Sequence, residues 1–164
     1  MTNKKIAVFI NGPINSGKTT IAKIVSDKIA NGVFIDGDNL VSENGEPLDV
    51  WIKKSIEEAI LKARLFVSEN KIPIISFPLR DEDWEAISIL KNEDITPICI
   101  TLSPKLETVL YSRKNRKLEK WEIERTKQMY AEGYNSRKFS SLIIENDEIE
   151  AEETAKIALE FLKC

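Results

Sequence analysis

Gly12-Pro13-Ile14-Asn15-Ser16-Gly17-Lys18-Thr19 stands between the apolar run Ile6-Ala7-Val8-Phe9-Ile10 and the segment Thr20-Ile21-Ala22-Lys23-Ile24-Val25. Its spacing is G-x-x-x-x-G-K-[ST], a P-loop. The glycines stand where backbone must curl around phosphate oxygens with successive N–H groups pointing inward. Gly12, Asn15, Ser16, Gly17, Lys18, Thr19 and Thr20 are therefore the candidate nucleotide-binding residues. Lys18 is placed to reach the β- and γ-phosphates, and Thr19 offers a hydroxyl to Mg²⁺. A helix beginning near Gly17 would add its positive N-terminal end. The motif needs a strand before it and a helix after it, and both are written in the sequence.

Working outward, Lys5 to Asn11 is a short apolar run cut off by Gly-Pro, the pattern of a buried strand. Ile21, Ile24, Val25 and Ile29 recur at helical spacing until Asn31-Gly32 stops the helix. Val33-Phe34-Ile35 reads as a second strand that delivers Asp36-Gly37-Asp38-Asn39 at its end. A long helix follows over Leu48 to about Asn70. Then come a strand over Ile72 to Phe77, a helix through Trp84, Ile87 and Leu90, and a strand over Thr96 to Leu102. Ser103-Pro104 predicts an N-cap and first residue for a helix running through Leu106, Val109 and Leu110 into Arg113-Lys114-Asn115-Arg116-Lys117. A helix over about Trp121 to Gly133, a strand over Ser141 to Ile144 and a helix over Ala151 to Leu162 close the chain. This alternation predicts a three-layer α/β domain of the P-loop NTPase type, with a five-stranded parallel sheet and helices on both faces. Strand order cannot be read from the pattern.

At 164 residues one domain spanning 1–164 is expected. A formal net charge of -3 argues against a dedicated nucleic-acid binder, whose affinity rests on clustered Lys and Arg. The first apolar run ends after Ile10, too short for a signal peptide or a membrane span. Cys99 and Cys164 have neither metal spacing nor a disulfide framework, so reduced thiols and a cytoplasmic location are expected. No membrane partner is expected, and a homodimer is left open.

The end of the second strand carries the chemistry. Ligands of open α/β sheets bind outside the carboxyl ends of the strands, which puts Asp36 and Asp38 near the P-loop. Phosphoryl transfer needs one group for Mg²⁺ and one to orient an acceptor hydroxyl. The chain has no histidine, so a general base would be a carboxylate. Asp38 is the candidate base, and Asp36 serves either the metal or the strand end. An Asp-Gly turn without catalysis is the plain structural alternative. The Asn-Lys-x-Asp signature expected of a GTPase is absent. ATP and Mg²⁺ are thus the expected cofactors, with a small molecule as phosphoryl acceptor. A regulatory module that binds ATP without transfer is the competing class.

Gly12 to Lys23, Asp36-Gly37-Asp38-Asn39-Leu40 and Ile75-Ser76-Phe77-Pro78-Leu79-Arg80 together resemble adenylyl-sulfate kinase, whose family carries a P-loop, D-G-D-N and S-P-[YF]-R in that order. The resemblance covers about the first half of the chain. It implies that Asp36 and Asp38 face substrate and metal, that Asn39 helps hold the acceptor, and that Arg80 contacts an anionic or polar acceptor. Arg80 reads equally as a salt bridge to a neighbour such as Asp81. Leu40-Val41 stand where that family usually has Arg, Phe77 stands where its Ser would be, and its K-A-R-x-G and F-T-G lid segments are absent. The second half is similar in layout to gluconate, shikimate and chloramphenicol kinases. An antibiotic or sugar phosphotransferase and a nucleotide kinase are accordingly the alternatives on the same scaffold.

Nine Lys/Arg and four Glu lie between Tyr111 and Lys138, which a solvated helix face would explain in part. The resemblance also implies a lid over about 113–125, with Arg113 near the adenine and Arg116, with Arg125 as a further candidate, reaching the phosphates. Trp51 is a candidate pocket wall, against the commoner core role of an aromatic at helical spacing. Arg116→Ala should lower kcat ~10²-fold or more, the scale of losing one charge-stabilising donor. An unchanged turnover in a steady-state assay would remove Arg116 from that role.

Overall fold

The computed structural model describes residues 4–112 and 117–163. Five strands, β1 (Ile6–Asn11), β2 (Gly32–Asp36), β3 (Ile72–Ser76), β4 (Thr96–Leu102) and β5 (Leu142–Ile144), form one sheet in the order β2-β3-β1-β4-β5. Every pairing is parallel. Five α-helices accompany them: α1 (Lys18–Lys28), α2 (Leu48–Ser68), α3 (Asp81–Ile87), α4 (Lys120–Ala131) and α5 (Ala151–Lys163). The expected α/β architecture is observed, with the P-loop strand β1 in the centre.

Strand residues alternate between two cores. Ala7, Phe9, Ile35, Ile75 and Cys99 point toward α2 and α3, where Ile56, Ile60, Ala63 and Ile87 meet them. Ile6, Val8, Ile10, Ile74 and Ile100 point the other way, against Ile21 and Val25 of α1 and Ala155 and Leu159 of α5. The sheet is covered on both faces, as an all-parallel sheet must be. Trp84 belongs to the first core, edge-on to Phe9 and stacked on Phe139. Cys99 lies there too, and burial pushes its thiol up to about 12, which leaves it unreactive. Among the described residues no helix is long and apolar enough to cross a membrane.

Two expected elements differ. Beyond Ile87 the third helix tightens into a 3₁₀ segment over Ser88–Glu93. The helix expected after Ser103-Pro104 is present from Leu106, but it widens into a π-helical segment over Thr108–Ser112. Ser103 is not its cap, because the Lys105 N–H that its hydroxyl would accept from goes to Asp147; the Ser103 backbone N–H pairs with Ile144 and prolongs the β4–β5 ladder. The cap comes from far along the chain: the Asp147 carboxylate accepts from the Lys105 N–H and the Thr108 hydroxyl.

At the C-terminal edge of the sheet, the fully buried Asn11 ties four segments together. Its Nδ2 donates to Thr101 Oγ1 on β4 at 3.1 Å and to the Tyr134 carbonyl at 3.3 Å. Its Oδ1 accepts from the Leu79 N–H, after β3, at 2.7 Å. Asn11→Ala would leave the Leu79 N–H without its partner, a cost of about 1–3 kcal/mol. Urea denaturation should show that loss with an unchanged m-value.

Candidate active site

Gly12 has φ +156, and a Cβ there would sit 2.6 Å from Ser16 Oγ and 3.0 Å from the Leu102 carbonyl. Gly17, at φ +98, opens α1 without a side-chain cap, so the first turn of the helix is left to whatever occupies the loop. Asn15 is left-handed at φ 61 and its Nδ2 donates to the Val109 carbonyl at 2.8 Å. The predicted contribution of Asn15 to phosphate binding thus falls to its backbone, with its side chain tied to the π-helical segment. Asn146 Nδ2 donates to the Ser16 carbonyl at 2.9 Å and pins the loop from the β5 side. Lys18 Nζ reaches back to the Pro13 carbonyl at 2.8 Å, across the mouth of the loop.

A cavity of about 410 Å³ opens over this loop. Asn15, Gly17, Lys18, Thr19 and Thr20 form one side, and Asp38, Trp51, Trp121 and Glu122 the other. Its size is in the range that holds a small ligand. The structure therefore brings Asp38 and the P-loop to one space. Asp38 opens onto that space, yet the surrounding protein removes enough water that desolvation raises its carboxyl above the usual aspartate value. Lys18 opposes the shift, while Asp36 and Glu43 add to it.

Asp36 holds this turn. Its Oδ1 accepts from the Asp38 N–H at 3.1 Å and its Oδ2 from Asn39 Nδ2 at 2.9 Å. It acts as the strand-end cap that the sequence left open, with lone pairs remaining on both oxygens for a metal-bound water. Asn39 is thereby tied to Asp36. Between them Gly37 lies so close to β3 that a Cβ would fall 2.6 Å from the Ser76 carbonyl and 2.5 Å from the Phe77 ring. Phe77 in turn packs against Trp51 at 5.9 Å, and the Trp51 indole N–H donates to the Val41 carbonyl at 2.9 Å. Trp51 is thus both a cavity wall and a brace for the loop before α2.

Arg80 takes the salt-bridge form, but with partners one and two residues beyond Asp81. Its Nε and Nη2 meet the two Asp83 oxygens at 3.0 and 2.9 Å, and Nη1 meets Glu82 at 2.8 Å. It lines a separate cavity with Asp49, Lys53 and Glu57. A bidentate pair to buried Asp83 fixes the start of α3, the ion-pair reading of Arg80. Arg113 and Arg116 lie outside the described residues. Arg125 pairs with Glu132 at 3.5 Å and lies over Tyr134. Trp121, on α4, is 62 % exposed at the cavity lip. Asn11, Asn146 and Asp147 were not singled out as site residues; their partners lie 39 to 130 positions away, and short-range spacing carries no signal for them.

Among the described residues no cluster of three or more acidic, Cys or His groups could cage a metal. That suits Mg²⁺, which usually binds through one or two carboxylates, phosphates and water.

No family model and no curated protein matches the sequence. Solved structures do, and P-loop small-molecule kinases are among them. A sugar kinase from Janibacter sp. superposes with TM-score 0.73 at 18% identity, over 98% of this chain and 95% of that one. The tunicamycin resistance protein of Deinococcus radiodurans gives 0.65 at 16%, covering 96% and 95%. The APS kinase of Mycobacterium tuberculosis gives 0.64 at 16%, covering 98% and 99%. At such identities the likeness is one of fold: the chain has the three-layer, five-stranded parallel fold of the P-loop kinases.

The raised Asp38 pKa has a signed consequence. Between the ordinary and the raised value the folded chain holds a proton that the unfolded chain has lost, so stability falls as pH rises through that window. Asp38→Asn should therefore melt above wild type at about pH 7, with the gap closing toward about pH 4, near the unperturbed value. A lower Tm for the variant at neutral pH would contradict that sign.

Proposed function

We propose that the chain is an ATP-dependent kinase that transfers the γ-phosphoryl group to a hydroxyl of a small molecule. The observation that carries this reading is the shared cavity, in which Lys18 and the uncapped start of α1 face Asp38. In this reading the loop N–H groups hold the β- and γ-phosphates, with Lys18 exchanging the Pro13 carbonyl for phosphate oxygen. Thr19 and Asp36 would hold Mg²⁺, directly or through water. When bound, that ion bridges phosphate oxygens and neutralises charge. Asp38 accepts the acceptor's proton as its oxygen attacks; desolvation makes the carboxylate a stronger base than a solvated one. Trp121 and Glu122 of α4 line the cavity, where closure would exclude water from transfer. ATP as donor fits a cytoplasmic setting.

For the acceptor, the engaged Arg80 and the indole walls favour a sugar- or antibiotic-like hydroxyl compound over adenylyl sulfate. Indole faces suit the C–H face of a sugar or an aromatic ring.

The test is transfer from γ-labelled ATP with Mg²⁺ into adenylyl sulfate, into neutral sugars and into a fractionated metabolite extract. Lys18→Ala should abolish transfer with circular dichroism and Tm near wild type, since a loop lysine adds little to the core. Normal turnover by that variant would overturn the P-loop assignment. Tight ATP binding by wild type without transfer to any fraction would favour the regulatory module.

A further inference from the structure

Ser76, the last residue of β3, is 2 % exposed, and its Oγ has no hydrogen-bond partner. The register sets it opposite Ile10 of β1 on one side and Asp36 of β2 on the other. Its face of the sheet follows from its neighbours. Ile74, two residues earlier, packs in the α1-side core with Ile21, Ala22 and Val25. Phe34, two residues before Asp36, lies in the same core beneath Lys23 of α1, whose Nζ is 5.4 Å from the ring centre. By strand alternation Ser76 and Asp36 share that face. They stand side by side at the ends of adjacent parallel strands, on the face of the sheet that α1 covers.

A buried hydroxyl with nothing to bond destabilises the fold, and alanine would fill the same space without that cost. P-loop NTPases hold Mg²⁺ with the P-loop Ser/Thr and an acidic residue from a strand. Here the strand beside β1 ends in a neutral hydroxyl, and the carboxylate stands one strand further out, on β2. We infer that Ser76 is a positioning residue for the nucleotide-bound cation: beside Asp36 on the adjacent strand, its Oγ would accept a hydrogen bond from a water in the shell of an ion held by Thr19 and Asp36. This rests on the kinase reading above. One carboxylate and two hydroxyls give the free ion little to bind, so the cation enters with the nucleotide rather than ahead of it.

The experiment uses Mn²⁺ as probe, with free ion followed by electron paramagnetic resonance in the presence and absence of ADP. Wild type should bind Mn²⁺ only with ADP. Ser76→Ala should weaken that binding about tenfold, the equivalent of about 1.4 kcal/mol, and leave metal-free ADP affinity unchanged. Its Tm should stay at or above wild type, because an unsatisfied polar atom has been removed. Ser76→Asp should bind Mn²⁺ at least as tightly as wild type and bind it without ADP. Unchanged Mn²⁺ affinity in Ser76→Ala, or a clear fall in its Tm, would overturn the inference and leave the kinase reading standing. Failure of wild type to take up Mn²⁺ with ADP would instead overturn the nucleotide reading on which it rests.

Discussion

The C-terminal edge of the sheet depends on a helix start that no side chain caps, held in place by three asparagine amides. Residues 12 to 17 must curl through left-handed backbone at Gly12, Asn15 and Gly17, and such a loop is not self-supporting. Asn11 anchors its root to β4 and to the segment after β3. Asn15 ties its middle to the π-helical segment. Asn146 holds the Ser16 carbonyl from the far side of the sheet. Each amide bridges chain segments that would otherwise drift apart, and an amide can do so because it donates and accepts within one small planar group. The result is a rigid concave row of backbone donors, pre-shaped for an anion, so that little ordering remains to be done when a ligand binds.

That dependence explains which parts of the molecule were legible in the sequence. The P-loop and the five strand–helix alternations are local signals, and the helix over Leu48 to Asn70 and the strand over Thr96 to Leu102 lie where periodicity puts them. The position of Asp38 over the loop also followed, because parallel strands deliver their ends to one edge. Strand order did not follow, since sequence separation does not fix which strands pair. Nor did the Asp147 cap, where a carboxylate 42 residues away does what Ser103 was expected to do. Arg80 was open between two partners, and the ion pair was favoured by chain geometry: Asp83 at N3 of α3 sits one turn from its base. Lid arginines at 113 and 116 remain expectations of the sequence, being outside the described residues.

The two sides of the cavity are supported differently. Behind the P-loop, Ser16, Ser76, Asn11 and Asn146 are almost wholly buried. On the Asp38 side the wall is a short turn and an indole on each of two helices, with the exposed stretch from Ser42 to Gly45 following the turn. Phosphate geometry is invariant from one reaction to another, so precise burial suits it. Acceptors vary, and a wall of loop and aromatic surface can change shape without disturbing the sheet.

The join between the two sides is Gly37. Its contact with β3 is too close for any side chain, so the turn bearing Asp38 lies directly on the end of the strand that carries Ser76. Phe77 fills the space beyond and braces Trp51, and through it the loop before α2. A shift of the acceptor wall is therefore transmitted to the Asp36–Asp38 turn through van der Waals contact rather than through a flexible linker. Close packing makes that coupling stiff, since an interior without voids cannot absorb the movement. Asp36, Asp38 and Ser76 are thereby held as one unit, and Trp51 is seated against it.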